Sequence, residues 1–308
     1  MFRENYLGID IGSGLIKLFH KGRCYKTLTP ENGVFRGEIK NSILVAETLK
    51  TLVLENKLGG KKAVLAYNGP GVFTKLEKIP SMTEEEIISY LNLEKENLLP
   101  FPAKEGVIDY IVINDDGKIM DILVIGLKTS FMIPYIETVK KASLQPVAVD
   151  LPSLALARVL FKGEQGLQLV IDVGKTTTDI HIYKDTQFMF SRIINIGGDD
   201  FDKVLAASLG IELDQARELR KAGDYQSMIF KGILSELQKE LTRSIDYYRF
   251  RFGNNESSPF NGVILIGGYS QLQELQETIK EVVGADVIVF NEGDTLLAQG
   301  LSMWRQKR

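Results

Sequence analysis

The chain carries one short plan twice. Residues 6–28 read as YLGIDI, a GSG turn, LIKLF, a KG turn and RCYKTL, and residues 167–194 read as LQLVIDV, GKTTT, DIHIY, KDT and QFMFSRII. In each block, apolar runs of strand length are punctuated by turn residues, which predicts a three-stranded meander. Aligned, Asp10 falls over Asp172 and Gly12 over Gly174. Two copies of this kind indicate a duplicated lobe rather than a short-period array, and a duplicated lobe makes a cleft between its copies. The 308 residues suffice for two such cores.

Between the blocks, residues 42–56 have helical periodicity and KAVLAYNG reads as a buried strand. Thr83 followed by Glu86 is a capping-box pattern that opens a helix through about Leu98, where Pro100 and Pro102 prevent continuation. The runs GVIDYIVIN and KIMDILVIGLK, joined by Asp115-Asp116-Gly117, predict a hairpin. A helix near 130–142 and the strand PVAVD complete a small α/β unit inserted into the first lobe. After the second meander come helices over FDKVLAASLG, LDQARELRKAG and 226–252, then the strand GVILIGGYS, a helix over 272–283, the strand VIVF and a final helix through Trp304. This alternation argues for an α/β fold throughout. GNNESSP at 253–259 reads as a surface loop.

Composition narrows the function. With 37 Lys+Arg against 40 Asp+Glu there is no basic excess to attract phosphate backbones, so nucleic acid is not expected as a partner. No apolar run approaches the roughly 20 residues that cross a bilayer, and the N-terminus lacks a signal-peptide layout, which together predict a soluble cytoplasmic chain. The single cysteine, Cys24, excludes a disulfide framework and a thiolate-rich zinc site, leaving His20 and His181 as the imidazoles. Cys24 is expected to be buried in a strand.

The chemistry lies in the glycine turns. In DIGSGLIK a strand ends in Asp10 and turns through Gly12, Ser13 and Gly14, so backbone N–H groups can approach an anion with the Ser13 hydroxyl beside them, and Lys17 can place an ammonium over phosphates. Read alone, this is also an ordinary glycine hairpin. The second hairpin, DVGKTTTD, supplies Asp172, Gly174, Lys175, the hydroxyls of Thr176, Thr177 and Thr178, and Asp179. Two facing hairpins can hold triphosphate oxygens between them while Asp10 and Asp172 orient hydrated magnesium. Gly267-Gly268, after the strand GVILI, leaves room for a flat ring or ribose, or simply packs a strand-to-helix turn. Gly197-Gly198 precede a helix with an acidic first turn, where capping is an equal reading.

In this order the elements resemble the actin-like ATPase superfamily: first phosphate hairpin, connecting helix, second phosphate hairpin, adenosine strand, final connecting helix. Within it the chain resembles the PilM family of type IV pilus assembly proteins. YLGIDIGSGLIKL, IPSMTEEEIISYLNLEKENLLPFPAKEGVIDYIVI, ILVIGLKTSFMIPYIETVKKASLQPVAVDLPSLALARVL and LTRSIDYYRFRFG carry that likeness, which covers essentially the whole chain. It implies an actin-like (ribonuclease H-like) duplicated two-lobe α/β fold. Residues 1–80 would form the first lobe core, completed by about 150–166 and 295–308. Residues 81–149 would form an inserted FtsA/PilM-type subdomain, 167–198 and 256–294 the second lobe core, and 199–255 its helical subdomain.

The resemblance further implies ATP or ADP with Mg2+ as ligands and an ATP-binding scaffold that is at most a slow ATPase. Its partners would be other pilus assembly proteins, copies of itself, and the cytoplasmic N-terminal peptide of a PilN-like inner-membrane protein, which would tether it to the inner face of the membrane. The peptide groove would lie near 67–75 and 84–114. Lys239 and Arg243, four apart on the helix region that touches adenosine in relatives, are nucleotide contacts or a solvated face. Departures from the family are Lys175, Tyr269 where the adenosine motif often has a third glycine, and the connecting segment Asp150-Leu-Pro-Ser, with no Glu or Gln to position water. Asp150 reads best as a strand-end cap. The same fold also hosts FtsA/MreB-like filament-forming ATPases, phosphotransferases of the sugar-kinase type and the cytoplasmic region of a type II secretion protein. For these the sequence shows no amphipathic membrane segment, no second catalytic carboxylate motif and no membrane span.

Overall fold

The computed structural model describes residues 6–252, 259–290 and 293–305, apart from the side chain of residue 294. The chain divides into two compact units: residues 1–29, 64–66 and 150–308 in one, and 30–63 and 67–149 in the other. Both copies of the repeated plan lie in the first.

There, Leu7–Ile11, Leu15–His20 and Arg23–Leu28 form the first meander, and Leu167–Val173, Thr178–Lys184 and Gln187–Ile194 form the second. The copies agree in register as well as order, since Asp10 pairs with Lys17 and Asp172 with Asp179. Each hairpin closes through the same bond: Gly12 N–H donates to the Leu15 carbonyl at 3.0 Å, and Gly174 N–H to the Thr177 carbonyl at 2.9 Å. The second sheet continues through Phe260–Ile266 and Val287–Val289, both added in parallel. Its alternating side chains, among them Ile171, Val173, Ile180 and Ile182, form a core with Phe201 and Leu241 of the helices Gly198–Leu209 and Lys231–Phe252. Fully burying a side chain of this size contributes about 1.5–3 kcal/mol, and this core is what holds the second hairpin in place.

The helix Leu296–Ser302 packs on the first sheet and against the helix Pro152–Leu160. Pro152–Leu160 opens with proline at its first position, where a missing N–H costs nothing, and Leu296–Ser302 ends two residues before the expected Trp304. Tyr183 donates to the Ser153 carbonyl at 2.7 Å, tying Pro152–Leu160 to the second meander. Cys24 departs from expectation. It lies in the edge strand Arg23–Leu28 but is exposed, because an edge strand with this burial pattern has little packed against it.

The second unit holds a three-stranded antiparallel sheet ordered Val72–Pro80, Ile119–Lys128, Gly106–Asp115. The hairpin turn forms as the sequence predicts: Gly117 has φ +83°, and the Asp116 carboxylate accepts from the N–H groups of Lys118 and Ile119 at 2.8 Å. Val72–Pro80 was not legible, since Lys75, Glu77 and Lys78 interrupt its apolar alternation. Pairing with Ile119–Lys128 along its full length defines it. The Thr83 capping box is present, but the helix is interrupted at Glu94 into Glu84–Leu93 and Lys95–Leu98. The bend lets Lys95 donate to the Gly106 carbonyl and Glu96 accept from Ala103 N–H, while Leu98 joins Ile87 and Leu91 in the core. Asn41 caps the helix Ser42–Glu55, and Gln145 N–H, opening the strand Gln145–Asp150, donates to the Lys61 carbonyl at 2.9 Å. Among the described residues no helix is long and apolar enough to cross a membrane.

Candidate functional site

The two hairpin tips meet. Ser13 Oγ and Thr176 Oγ1 are 2.8 Å apart across 163 residues of sequence, a hydrogen bond that joins the two glycine turns directly. The turn carbonyls are already accepting hydrogen bonds. Gly12 O takes the Thr29 hydroxyl at 2.6 Å and Gly14 O takes Thr29 N–H at 3.0 Å. In the second hairpin, Gly174 O accepts from Gly198 N–H at 2.9 Å and Lys175 O from Asp199 N–H at 2.8 Å. With these four carbonyls engaged, the turns can offer a ligand donor chemistry: N–H groups, the Thr177 hydroxyl, whichever of the Ser13 and Thr176 hydroxyls is not the donor in their mutual bond, and lysine. Thr178 is buried and differs, its hydroxyl donating to the Ile196 carbonyl at 2.8 Å, so its role is to hold the hairpin to the chain ahead of Gly197.

The carboxylates are arranged unequally. Lys17 reaches Asp10 at 2.9 Å, with both side chains largely buried, so the first hairpin carries an internal ion pair. In the second, Asp179 stands where Lys17 stands in the first, directly across from Asp172. Sequence reasoning named Asp179 only as the hairpin's end; its alignment with Lys17 was the available signal. Among the described residues no three His, Cys, Asp or Glu side chains cluster as a metal site. Two carboxylates in donor-rich turns nevertheless suit magnesium, which commonly keeps its waters and binds through one or two carboxylates plus phosphate oxygens.

Three segments lock together behind the second hairpin. Gly197 N–H donates to Asp200 at 3.0 Å, so the acidic first turn caps the helix Gly198–Leu209. A Cβ at Gly198 would lie 1.9 Å from the Tyr269 ring, so that ring sits directly over glycine backbone. Gly267 has φ +95°, and a Cβ there would lie 2.4 Å from Asp172 Oδ1 and 2.5 Å from the Val173 carbonyl oxygen. Tyr269 donates through its hydroxyl to Asp202 at 2.8 Å, and Arg220 lies over its ring at 4.2 Å while donating to Asp202 at 2.6 Å. Burial, reinforced by the Asp202 charge, holds the Tyr269 phenol well above its ordinary range. The third-glycine position is therefore filled by an aromatic anchor, while Gly268 has open space around it.

Other candidates lie elsewhere in the geometry. Lys239 and Arg243 are exposed on the helix Lys231–Phe252, and Arg243 pairs with Glu240. Asp150 accepts from Leu151 N–H at 2.9 Å and from Arg158 at 2.7 Å, which makes it a strand-end cap and ion-pair partner. His181 is buried two residues beyond Asp179, with Nδ1 2.8 Å from Ser191 Oγ, and burial lowers its pKa to about 3.

A duplicated hairpin lobe with tips joined over a donor-rich turn pair, backed by a strand ending in glycine, is the arrangement of the actin-like ATPase fold. Solved structures share it. The PilM-PilN type IV pilus biogenesis complex matches with a TM-score of 0.82 at 22% identity over 98% of both chains. The ethanolamine utilization protein EutJ from Carboxydothermus hydrogenoformans matches at 0.63 and 17% identity, over 98% of this chain and 90% of its own. MreB5 of Spiroplasma citri bound to ADP matches at 0.60 and 12%, over 97% and 95%. Among curated proteins, the chaperone protein HscA homolog of Pseudomonas paraeruginosa is 24% identical over 183 residues, 48% of this chain and 30% of its own length. The chain thus spans less than a third of the curated relatives it matches. Residues 8–305 match the family model of the type IV pilus assembly protein PilM, and the chain belongs to that family.

Proposed function

We propose that this member of the PilM family is an ATP-binding cytoplasmic scaffold of type IV pilus, or related competence or secretion, assembly. ATP or ADP with Mg2+ would bind at the joined hairpins, and the chain would hold the N-terminal peptide of a PilN-like inner-membrane protein. The observation that carries the nucleotide reading is the 2.8 Å Ser13–Thr176 contact between two turns in which the Gly12, Gly14, Gly174 and Lys175 carbonyls already accept hydrogen bonds. Ser13, Thr176, Thr177, Lys175 and the turn N–H groups would take the phosphates, Asp10 and Asp172 the hydrated metal, and the Gly267-Gly268 turn the nucleoside. The solved MreB5 relative was bound to ADP, which supports the ligand class. The peptide reading rests on the family and on the fold shared with the PilM-PilN complex. Such a peptide would lie along residues near 67–75 and 84–114, recognised by main-chain hydrogen bonds and apolar pockets, and would bring the chain to the inner face of the membrane.

Hydrolysis should be slow. Asp150 in the connecting segment is occupied by Arg158 and the Leu151 N–H, so it offers no free carboxylate to orient water. In phosphoryl transfer an unpositioned nucleophile leaves a high barrier. ATP then acts mainly as a structural ligand. Calorimetry on Asp10→Ala and Asp172→Ala should show roughly tenfold to hundredfold weaker Mg-ATP binding, since charge-assisted hydrogen bonds are worth about 1.5–3 kcal/mol. Wild-type affinity in both variants refutes the site. Immobilised N-terminal peptides of pilus proteins should retain the chain better with Mg-ATP than without. Steady turnover of several per second by the isolated chain would instead make it an enzyme.

A further inference from the structure

Two lysines flank the hairpin tips, and only one is neutralised there. Lys17 is taken by Asp10 at 2.9 Å. Lys175 is partly exposed and makes no ion pair among the described residues. Its stem crosses to the other hairpin: a Cβ built on Gly14 would lie 3.4 Å from Lys175 Cβ and 3.6 Å from its Cδ. The stem thus runs within ordinary van der Waals reach of Gly14 in the other hairpin. Its ammonium lies two bonds beyond Cδ, and Lys175 directly precedes Thr176, whose hydroxyl meets Ser13. A long side chain whose stem is packed and whose charge is unspent has fewer rotamers to lose on meeting a polyanion.

We propose that Lys175 is a metal-independent anchor for the nucleotide's phosphate chain, so that this protein retains ATP when magnesium is absent. The inference rests on the nucleotide reading above and adds a division of labour to it. Asp10 and Asp172 serve the metal-bound form, and Lys175 contributes most when no metal shares the phosphate charge. Either Mg2+ or Lys175 would screen part of the phosphate charge, so losing one should be tolerated better than losing both.

The test is calorimetric titration of the whole chain with ATP, in EDTA and in Mg2+, for wild type, Lys175→Gln and Lys175→Arg, with adenosine as the uncharged probe. In EDTA, Lys175→Gln should bind ATP roughly tenfold or more weakly than wild type, the size of one charge-assisted hydrogen bond. Lys175→Arg should recover most of that loss, the deficit should shrink in Mg2+, and adenosine should bind all three equally. Equal ATP affinity of wild type and Lys175→Gln in EDTA overturns the proposal. So does a matching loss for adenosine, which would mean damage to the fold. Wild type that binds ATP only with Mg2+ refutes the anchor and leaves the nucleotide site standing, whereas wild type that binds ATP in neither buffer refutes both.

Discussion

The Gly267-Gly268 pair looks symmetrical in sequence and is not so in structure, which makes alanine substitution at each a sharp test. At Gly267 the backbone has φ +95°, and the left-handed side of conformational space costs an L-residue about 1–2 kcal/mol. The new Cβ would also lie 2.5 Å from the Val173 carbonyl oxygen and 2.8 Å from its carbon, and backbone paired in a sheet does not yield as a side-chain tip does. Overpacking of this kind costs about 1–3 kcal/mol. Together Gly267→Ala should lose roughly 2–5 kcal/mol, lowering the thermal midpoint by roughly 4–20 °C at about 2–4 °C per kcal/mol. Because the same Cβ would press on Asp172 Oδ1 at 2.4 Å, Mg-ATP affinity should fall as well. Gly268→Ala, with nothing within 4 Å of its Cβ and no positive φ, should stay within about 0.5 kcal/mol of wild type. Scanning calorimetry on both variants decides it. Equal midpoints would refute the assignment of Gly267 as the residue that sets this loop against the second hairpin.

Stability should also depend on pH through His181. Its folded pKa of about 3 lies below the ordinary 6.5, so between those values the unfolded chain holds a proton that the folded chain does not. Its stabilising effect is complete above pH 6.5 and is lost on acidification at about 1.4 kcal/mol per pH unit, reaching about 5 kcal/mol near pH 3. His181→Gln should flatten the fall in thermal midpoint below pH 6.5 relative to wild type, and parallel curves would refute this account. Tyr269→Phe removes one donor from a fully buried Asp202 and should cost about 1–3 kcal/mol by thermal unfolding, because the carboxylate loses a partner it cannot replace with water. An unchanged midpoint would show that Arg220 and Arg217, whose Nε lies 3.5 Å from an Asp202 oxygen, satisfy Asp202 without it.

What could be read directly from the residues was what neighbours in the chain decide. Both meanders, the two glycine turns, the Thr83 capping box and the Asp115-Asp116-Gly117 hairpin depend on bonds spanning a few residues, and each formed where its local chemistry indicated. Where residues outside the element intervened, the local reading fell short. The strand Val72–Pro80 is hidden by its charges until Ile119–Lys128 pairs with it, and Cys24 is exposed because its strand is an edge.

The sequence by itself therefore determined a duplicated α/β lobe with a donor-rich glycine turn and a terminal aspartate in each copy, because strand alternation and turn conformation are local properties. Only the tertiary structure decided how those turns are used. Ser13 meets Thr176 from 163 residues away, Tyr269 covers Gly198 and bonds Asp202, and Lys175 lies along Gly14. Each of these contacts joins segments that no spacing rule connects. They exist because the fold, and not the order of the chain, brings those segments within bonding distance.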